Sequence, residues 1–178
     1  MASELKHRTA KTVFPGKCHP LGATVQENGV NFAIYSRHAT EVFLLLFESE
    51  DGNPTDIIRL ETRTKFIWHD LVKDIRDGQL YGYKVRGEYN PRAGMRFNEN
   101  KILLDPYAKA VTGKCFNTDN LLLAYDPMSP DLDLKPDTRD NTAVAPKSVV
   151  IDDWFDWQHV EAPEIPAEKL SIYEVHVK

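Results

Sequence analysis

The chain has 178 residues, of which 42% are hydrophobic and 28% charged, with a formal net charge of -5 at pH 7. This is the composition of a soluble globular protein of about one domain. Mild acidity gives no reason to expect a nucleic-acid partner, and the one basic cluster, within the first 11 residues, has no interleaved aromatic residues and is typical of a solvated terminus.

The lack of a targeting signal in the sequence and the isolated cysteines favour a cytoplasmic location. No apolar run approaches the roughly 18 residues of a membrane span, and charged residues occupy the place of a signal peptide's apolar region. Cys18 and Cys115 are far apart, so neither a CxxC pair nor a zinc cluster can be written, and we expect two reduced thiols. We therefore expect a cytoplasmic chain without membrane, metal or cofactor.

Short β-branched and aromatic runs alternate with turn signals between residues 29 and 87. The first run places Val30, Phe32 and Ile34 on one apolar face, as in a half-buried strand. The run VFLLLF at residues 42–47 is apolar throughout and predicts a central strand covered on both faces. Because no helical pattern of about 10 to 15 residues separates the strands, a β-sandwich is favoured over a parallel sheet.

Proline dominates the chain after Gly87, which contains eight of the 11 prolines. This favours an extended connector. One short helix is predicted, with Asp105 as N-cap and Pro106 in its first turn. The aromatic cluster WFDW at residues 154–157 is expected to pack on the sandwich or to line a larger domain.

The last seven residues, IYEVHVK, have the composition of a strand. No turn signal or partner strand follows them, so the pairing edge must be met from elsewhere or stay open. An open edge predicts self-association through this strand.

Few side chains suggest catalysis or metal binding. The acidic residues of IDDWFDW form no convincing acid/base pair, and Glu174 with His176 supplies only two ligands. No nucleotide-binding or nucleophile motif is present. Exposed aromatic rings could stack on sugars, and the candidates on or near the predicted strands are Trp68, Tyr81, Tyr83 and Tyr89. The alternative is that those on strands face the core.

Four segments in chain order carry a resemblance: HPLGATVQENGVNFAIYSRHATEVFLLLF, GQLYGYKVRGEYNPRAGMRFNENKILLDPYAKAV, PKSVVID with FDW, and IYEVHVK. They resemble the N-terminal part of the isoamylase-type glycogen debranching enzymes of glycoside hydrolase family 13, the α-amylase superfamily. The resemblance implies an immunoglobulin-like β-sandwich of carbohydrate-binding module family 48, a proline-rich connector and a catalytic (β/α)8 barrel.

On this resemblance the all-β chain divides into four parts. Residues 1–17 are an N-terminal extension, residues 18–112 the immunoglobulin-like β-sandwich, and residues 113–170 the extended connector with its short helix nearby. Residues 171–178 are the first strand of a barrel that is cut off. The predicted partners are that missing barrel, an α-glucan such as glycogen or maltodextrin, and a second copy of the chain.

The resemblance carries over few site residues. The family's catalytic carboxylates lie on later barrel strands, and Arg139-Asp140 lacks the lead-in of the nucleophile strand, so no catalytic residue is expected. Glucan-binding members present two Trp and a Lys. Here Gly82 stands in the place of the Lys, and only Tyr89 occupies a place like that of the second Trp. Tyr89 and Trp68 are the predicted carbohydrate-binding residues.

These observations predict a non-catalytic module of an enzyme that hydrolyses α-1,6-glucosidic branch linkages in glycogen or limit dextrin. The module would support the barrel and contact α-glucan. Two alternatives stay open: a free-standing glucan-binding or regulatory protein, and a protein-interaction module.

Overall fold

The computed structural model describes residues 5–113 and 118–176, and strands dominate them. The strands are β1 (Val13–Pro15), β2 (Gly22–Gln26), β3 (Gly29–Tyr35), β4 (Glu41–Phe47), β5 (Asp56–Arg59), β6 (Arg63–Thr64), β7 (Ile67–Lys73), β8 (Leu80–Arg86), β9 (Tyr89–Asn90), β10 (Met95–Arg96), β11 (Ala110–Val111) and β12 (Ser148–Val149). Four three-residue 3-10 helices occur within these residues, at Pro91–Ala93, Thr118–Asn120, Leu132–Leu134 and Ala167–Lys169.

Two antiparallel sheets form the sandwich. The first has the order β1-β7-β3-β2, with β6 also paired to β7, and the second has the order β11-β12-β8-β4-β5. Strands β9 and β10 form a separate hairpin. The predicted all-β sandwich is therefore confirmed, and its second sheet takes in a strand as late as Ser148–Val149.

The main core lies between the two sheets. Its side chains are the inward-facing members of β3, β4, β7 and β8, and their burial follows the two-residue period of a strand. The largest fully buried ones include Phe32, Leu44, Tyr81 and Tyr83. The Phe32 and Tyr81 rings meet edge to face at 5.2 Å, an arrangement that aromatic quadrupoles favour.

Strand β4 is buried on both faces, as its uninterrupted apolar sequence predicted. Val42, Leu44 and Leu46 belong to the core between the sheets, whereas Phe43 and Leu45 belong to a second cluster on the outer face of the second sheet. Every residue of β4 after Glu41 is at most 2% exposed. The prediction of a central strand buried on both faces is therefore confirmed.

Strand β3 differs from its expected half-buried pattern. Val30, Phe32 and Ile34 face the core as predicted, but Asn31 on the other face is only 1% exposed. The amide of Asn31 accepts a hydrogen bond from the Lys17 backbone N–H at 2.7 Å and donates to the Lys17 carbonyl at 2.9 Å. The loop between β1 and β2 therefore covers this face, and the buried Asn31 amide keeps its hydrogen-bond partners.

Residues 119–147, which we call the cover segment, lie over the outer face of the second sheet. Leu122 and Ala145 from this segment pack with Ile102 on Phe43 and Leu45. The Asn141 amide accepts a hydrogen bond from the Ile102 N–H at 2.6 Å and donates to its carbonyl at 3.3 Å. The cover segment falls in the predicted connector, yet these contacts attach it to the sandwich.

The helix expected after Asp105 is not formed. Asp105 does cap the backbone, since its carboxylate accepts from the Tyr107 N–H at 2.8 Å, but a single turn follows and the chain enters β11. The same carboxylate accepts a hydrogen bond from the Tyr81 hydroxyl at 2.9 Å. Tertiary contacts with β8 and β12 therefore hold this segment, and they override the local helix signal.

Burial of Asp105 predicts a pH effect on stability. Desolvation raises the pKa of Asp105, although the hydrogen bonds from Tyr107 and Tyr81 oppose the rise. A raised pKa contributes stability that is fully present below the pKa of the unfolded chain, about 3.9. This stability is lost as the pH rises through the pKa of the folded chain. Urea titrations from acid to neutral pH should therefore show Asp105→Asn gaining stability relative to wild type as pH rises. An unchanging difference would contradict the raised pKa.

Residues 151–176 run on from the sandwich as an exposed segment. Trp154, Phe155 and Trp157 are 77%, 66% and 66% exposed, so they do not pack on the sandwich. Residues 171–176 form no strand; in the described part of the chain they have no neighbouring strand to satisfy their backbone groups. Val177 and Lys178 of the predicted strand, like Cys115, lie outside the described residues.

Candidate functional site

Trp68, one predicted sugar-binding residue, lies in the core between the sheets. It is 8% exposed, and its indole N–H donates to the Ser36 carbonyl at 3.2 Å. The Arg63 guanidinium lies 4.7 Å from the ring centroid, an ordinary cation-π distance. With one face on the core and the other under Arg63, the ring offers little surface for a sugar.

Tyr89, the second predicted residue, lies in the β9-β10 hairpin and is half-buried. Its hydroxyl donates to the Asp133 carbonyl at 2.8 Å. Arg96, directly opposite on β10, pairs with the Asp133 carboxylate at 2.5 Å. Burial and the nearby Asp133 raise the pKa of Tyr89, so the hydroxyl is protonated at neutral pH. The structure places Tyr89 and Trp68 on different elements, and of the two residues Tyr89 is half-buried whereas Trp68 is buried.

Tyr81 and Tyr83 are core residues. Both are 0% exposed, and their rings meet edge to face at 5.9 Å. Neither ring is available to a sugar. Among the described residues, the Tyr83 hydroxyl finds no hydrogen-bond partner, so packing holds its polar end in the core.

Gly82 lies on the outer face of the second sheet, where the resemblance places a lysine in glucan-binding members. A Cβ built on Gly82 would meet the Ile102 Cδ1 at 2.7 Å. Next to it, Leu103 pairs with Tyr83 through two backbone hydrogen bonds of 2.7 and 2.9 Å. The face that would present a lysine to a glucan is therefore closed by the chain itself.

Three buried lysines attach the cover segment to the rest of the chain. The Lys101 ammonium bonds the Asp137 carboxylate at 2.9 Å, and Lys84 pairs with Asp140. Lys147 is fully buried, donates to two carbonyls, and lies 5.0 Å from the Phe47 ring centroid. Desolvation lowers the pKa of Lys147. These charges are satisfied individually, as buried ions require.

An open groove of about 390 Å³ lies at the C-terminal end of β3. Side chains from the end of β3 and from the segment after β9 line it, including Tyr35, His38, Met95, Leu103 and Leu104. Tyr35 is 53% exposed and meets Phe66, 39% exposed, edge to face at 6.1 Å.

The sequence reasoning missed this exposed aromatic pair. One sequence signal could have found half of it: Tyr35 is out of phase with Val30, Phe32 and Ile34, which predicts an outward ring at the end of the strand. The position of Phe66 in the tight β6-β7 turn, where Lys65 has a positive φ of 56°, is seen only in the structure.

The described residues, 5–113 and 118–176, contain no group of three His, Cys, Asp or Glu side chains arranged to hold a metal ion. In the same residues, no helix is both long and apolar enough to cross a bilayer. Glu174 and His176 lie in the exposed tail.

The fold and the sequence together define the family. The model of carbohydrate-binding module 48 (isoamylase N-terminal domain) matches residues 20–108, which is half of the chain. The chain belongs to this family, which confirms the resemblance of the four sequence segments.

Curated relatives extend the likeness beyond the sandwich. The glycogen debranching enzyme of Serratia proteamaculans (strain 568) is 43% identical over 164 residues, and that of Salmonella typhi is 44% identical over 163. Each alignment covers 92% of this chain and 23% of the relative. The chain thus spans about a quarter of the length of these relatives. Among solved structures, a pullulanase from Paenibacillus barengoltzii is 26% identical over 52% of this chain and 13% of that one, with a TM-score of 0.43.

Proposed function

We propose that this chain is the non-catalytic module of a glycogen debranching enzyme that hydrolyses α-1,6-glucosidic branch linkages in glycogen or limit dextrin. The observation that carries the proposal is the 43% identity to a protein of that name over 92% of this chain. Because the identity extends past the residues of the family model, the cover segment and the exposed tail are part of the likeness. The activity itself belongs to a catalytic barrel outside this chain.

The division of the chain follows from this proposal. We assign residues 1–17 to an N-terminal extension, residues 18–112 to the main part of the sandwich, residues 113–170 to the connector and residues 171–178 to the first barrel strand. The extension and the connector each add one strand to the sandwich, β1 to the first sheet and β12 to the second. Exposure of residues 171–176 supports the last assignment, because a strand rich in Ile, Tyr and Val needs a sheet to pair with. We place the module in the cytoplasm with its glucan substrate.

Glucan contact is proposed at Tyr89 rather than across the outer face of the second sheet. That face lies under the cover segment, and Gly82 meets Ile102 where a lysine would need space. Tyr89 is only half-buried, and Arg96 and Asp133 beside it supply hydrogen-bonding groups. A stacking ring flanked by polar side chains is the usual form of a sugar contact. Trp68 would act by supporting the core.

Co-sedimentation of the purified chain with glycogen tests the proposal, with β-cyclodextrin as competitor. We expect wild type to sediment with glycogen and β-cyclodextrin to release it. Tyr89→Ala should weaken binding by roughly tenfold, because losing a stacking contact costs about 1.4 kcal/mol of binding free energy.

Tyr89→Phe is the matched control. It removes only the hydroxyl that bonds the Asp133 carbonyl and keeps the ring, so binding should stay near wild type. Circular dichroism establishes that each variant is folded. A folded wild-type chain that stays in the supernatant would contradict glucan contact and leave the module a support for its barrel.

A further inference from the structure

The β9-β10 hairpin, which contains Tyr89, belongs to neither sheet of the sandwich. Within it, Tyr89 lies opposite Arg96 and Asn90 lies opposite Met95. Among the described strands, β9 and β10 pair with no other strand. A two-stranded hairpin alone is marginally stable in water. The position of the Tyr89 ring therefore depends on contacts that the hairpin makes with other parts of the chain.

The side-chain contacts of Tyr89 and Arg96 both lead to Asp133 in the cover segment. The Tyr89 hydroxyl donates to the Asp133 carbonyl at 2.8 Å, and the Arg96 guanidinium pairs with the Asp133 carboxylate at 2.5 Å. The 3-10 helix Leu132–Leu134, which contains Asp133, also contacts the 3-10 helix Pro91–Ala93 between β9 and β10. The cover segment therefore places the polar groups that flank the Tyr89 ring.

Asp133 belongs to a loop that is closed at its base. This loop, which we call the clamp loop, comprises residues 124–137 of the cover segment. The Asp137 N–H donates to the Ala124 carbonyl at 2.9 Å, and the next residues inward pair in an isolated antiparallel bridge. The two ends of the clamp loop are fixed to each other, so displacement of its base would also displace Asp133.

The base of the clamp loop is held by two side chains from the segment that follows the hairpin. The Asn98 amide donates to the carbonyls of Ala124 and Asp137 at 2.9 and 2.7 Å. The buried Lys101 ammonium donates to the Asp137 carboxylate at 2.9 Å. Asn98 comes two residues after β10 ends. The hairpin and the segment after it therefore contact both the 3-10 helix and the base of the clamp loop.

We infer that the docked clamp loop completes the glucan contact at Tyr89 and controls its affinity, an inference that rests on the proposed function. Asp133 is then a positioning residue that holds Arg96 beside the Tyr89 ring. The Asp133 and Arg96 side chains are still 39% and 45% exposed, so both can meet sugar hydroxyls. An undocked loop would carry the Asp133 carboxylate away and leave Arg96 free to turn. Because only the docked form offers the complete contact, glucan binding and loop docking must strengthen each other.

Glycogen co-sedimentation of the full chain, with variants at the base of the clamp loop, tests the inference. Asp137→Ala removes the carboxylate that Lys101 holds and leaves Tyr89, Arg96 and Asp133 in place. We expect it to bind glycogen about tenfold more weakly than wild type, within the usual range of coupling between sites. Lys101→Met/Asp137→Leu keeps the loop docked through apolar contact without a buried charge. This double variant should bind glycogen nearly as well as wild type.

Val72→Ala is the matched control for a general loss of stability. Val72 is fully buried on the core side of the first sheet, whereas the cover segment lies on the outer face of the second. Its truncation therefore leaves a cavity in the core and keeps the clamp loop docked. Circular dichroism establishes that each variant is folded, and folded Val72→Ala should bind glycogen like wild type.

Hydrogen exchange of the wild-type chain provides a measurement that needs no variant. Saturating maltoheptaose should slow amide exchange in the clamp loop as well as around Tyr89, because a ligand that requires the docked loop stabilises it against local opening. This measurement decides the matter if Asp137→Ala does not fold.

The outcomes separate a failure of the clamp loop from a failure of the glucan contact. A folded wild-type chain that does not sediment with glycogen overturns the contact at Tyr89 and this inference with it. If wild type binds but folded Asp137→Ala binds equally well, or if maltoheptaose leaves exchange in the clamp loop unchanged, only the role of the clamp loop is wrong. Equal weakening in Val72→Ala would also contradict that role, because general destabilisation would then explain the loss.

Discussion

Asp137→Ala is expected to destabilise the chain by about 3 to 5 kcal/mol, the usual cost of leaving one buried charge without its partner. The Lys101 and Asp137 side chains are only 3% and 4% exposed. Without the carboxylate, the Lys101 ammonium would keep only the Leu121 carbonyl at 2.8 Å. Because Lys101 adjoins Ile102 under the cover segment, the loss should release this segment first. Urea unfolding followed by circular dichroism measures the change.

The matched control is Asp133→Ala, which removes the exposed pair with Arg96. The Asp133 and Arg96 side chains are 39% and 45% exposed, so the loss of this pair should cost less than about 1 kcal/mol. Lys101→Met/Asp137→Leu should regain much of the stability lost in Asp137→Ala, because apolar residues replace a buried pair without leaving a charge. Equal effects of the buried and exposed substitutions would contradict the argument.

Acid pH should reduce the difference between wild type and Asp137→Ala. Burial alone would raise the pKa of Asp137, but hydrogen bonds from Arg139 and Lys101 outweigh it and hold the pKa well below its ordinary value. A lowered pKa contributes stability that is present above the pKa of the unfolded chain, about 3.9. This stability is lost as the pH falls through the pKa of the folded chain. The stability difference should therefore shrink steadily as the solution is made more acidic than about pH 4.

Gly82→Lys is the second substitution expected to have a large effect, a loss of at least about 3 kcal/mol. Its Cβ would lie 2.7 and 2.8 Å from two Ile102 side-chain carbons and 3.3 Å from the Leu103 carbonyl oxygen. Overpacking of this kind costs about 1 to 3 kcal/mol, and an ammonium without a partner under the cover segment adds to it. Thermal and urea unfolding measure the loss.

This substitution also tests how the outer face of the second sheet is used. Arg59→Lys provides an exposed lysine on the same sheet and should change stability by less than about 1 kcal/mol. If Gly82→Lys were as stable as wild type and gained affinity for glycogen, the face would be accessible. Tyr89 would then lose its place as the proposed glucan contact.

The strands and their packing could be predicted largely from local patterns. VFLLLF predicted a strand with two covered faces, and alternation in β3 identified Val30, Phe32 and Ile34 as core residues. Both predictions depend on the two-residue period of a strand, which a single sequence displays directly. The helix at Asp105 failed because Asp105 bonds Tyr81 across 24 positions of sequence, and no local window contains that contact.

The sequence by itself determined the all-β class, the buried central strand and the family, because each depends on residue order along short segments. Only the tertiary structure decided which aromatic rings are accessible. Tyr81, Tyr83 and Trp68 are buried, whereas Tyr35 and Phe66 form an exposed aromatic pair. It also decided that the outer face of the second sheet is closed over Gly82. The physical reason is that burial depends on which distant segment covers a face, and a residue's own neighbours in sequence do not specify that segment.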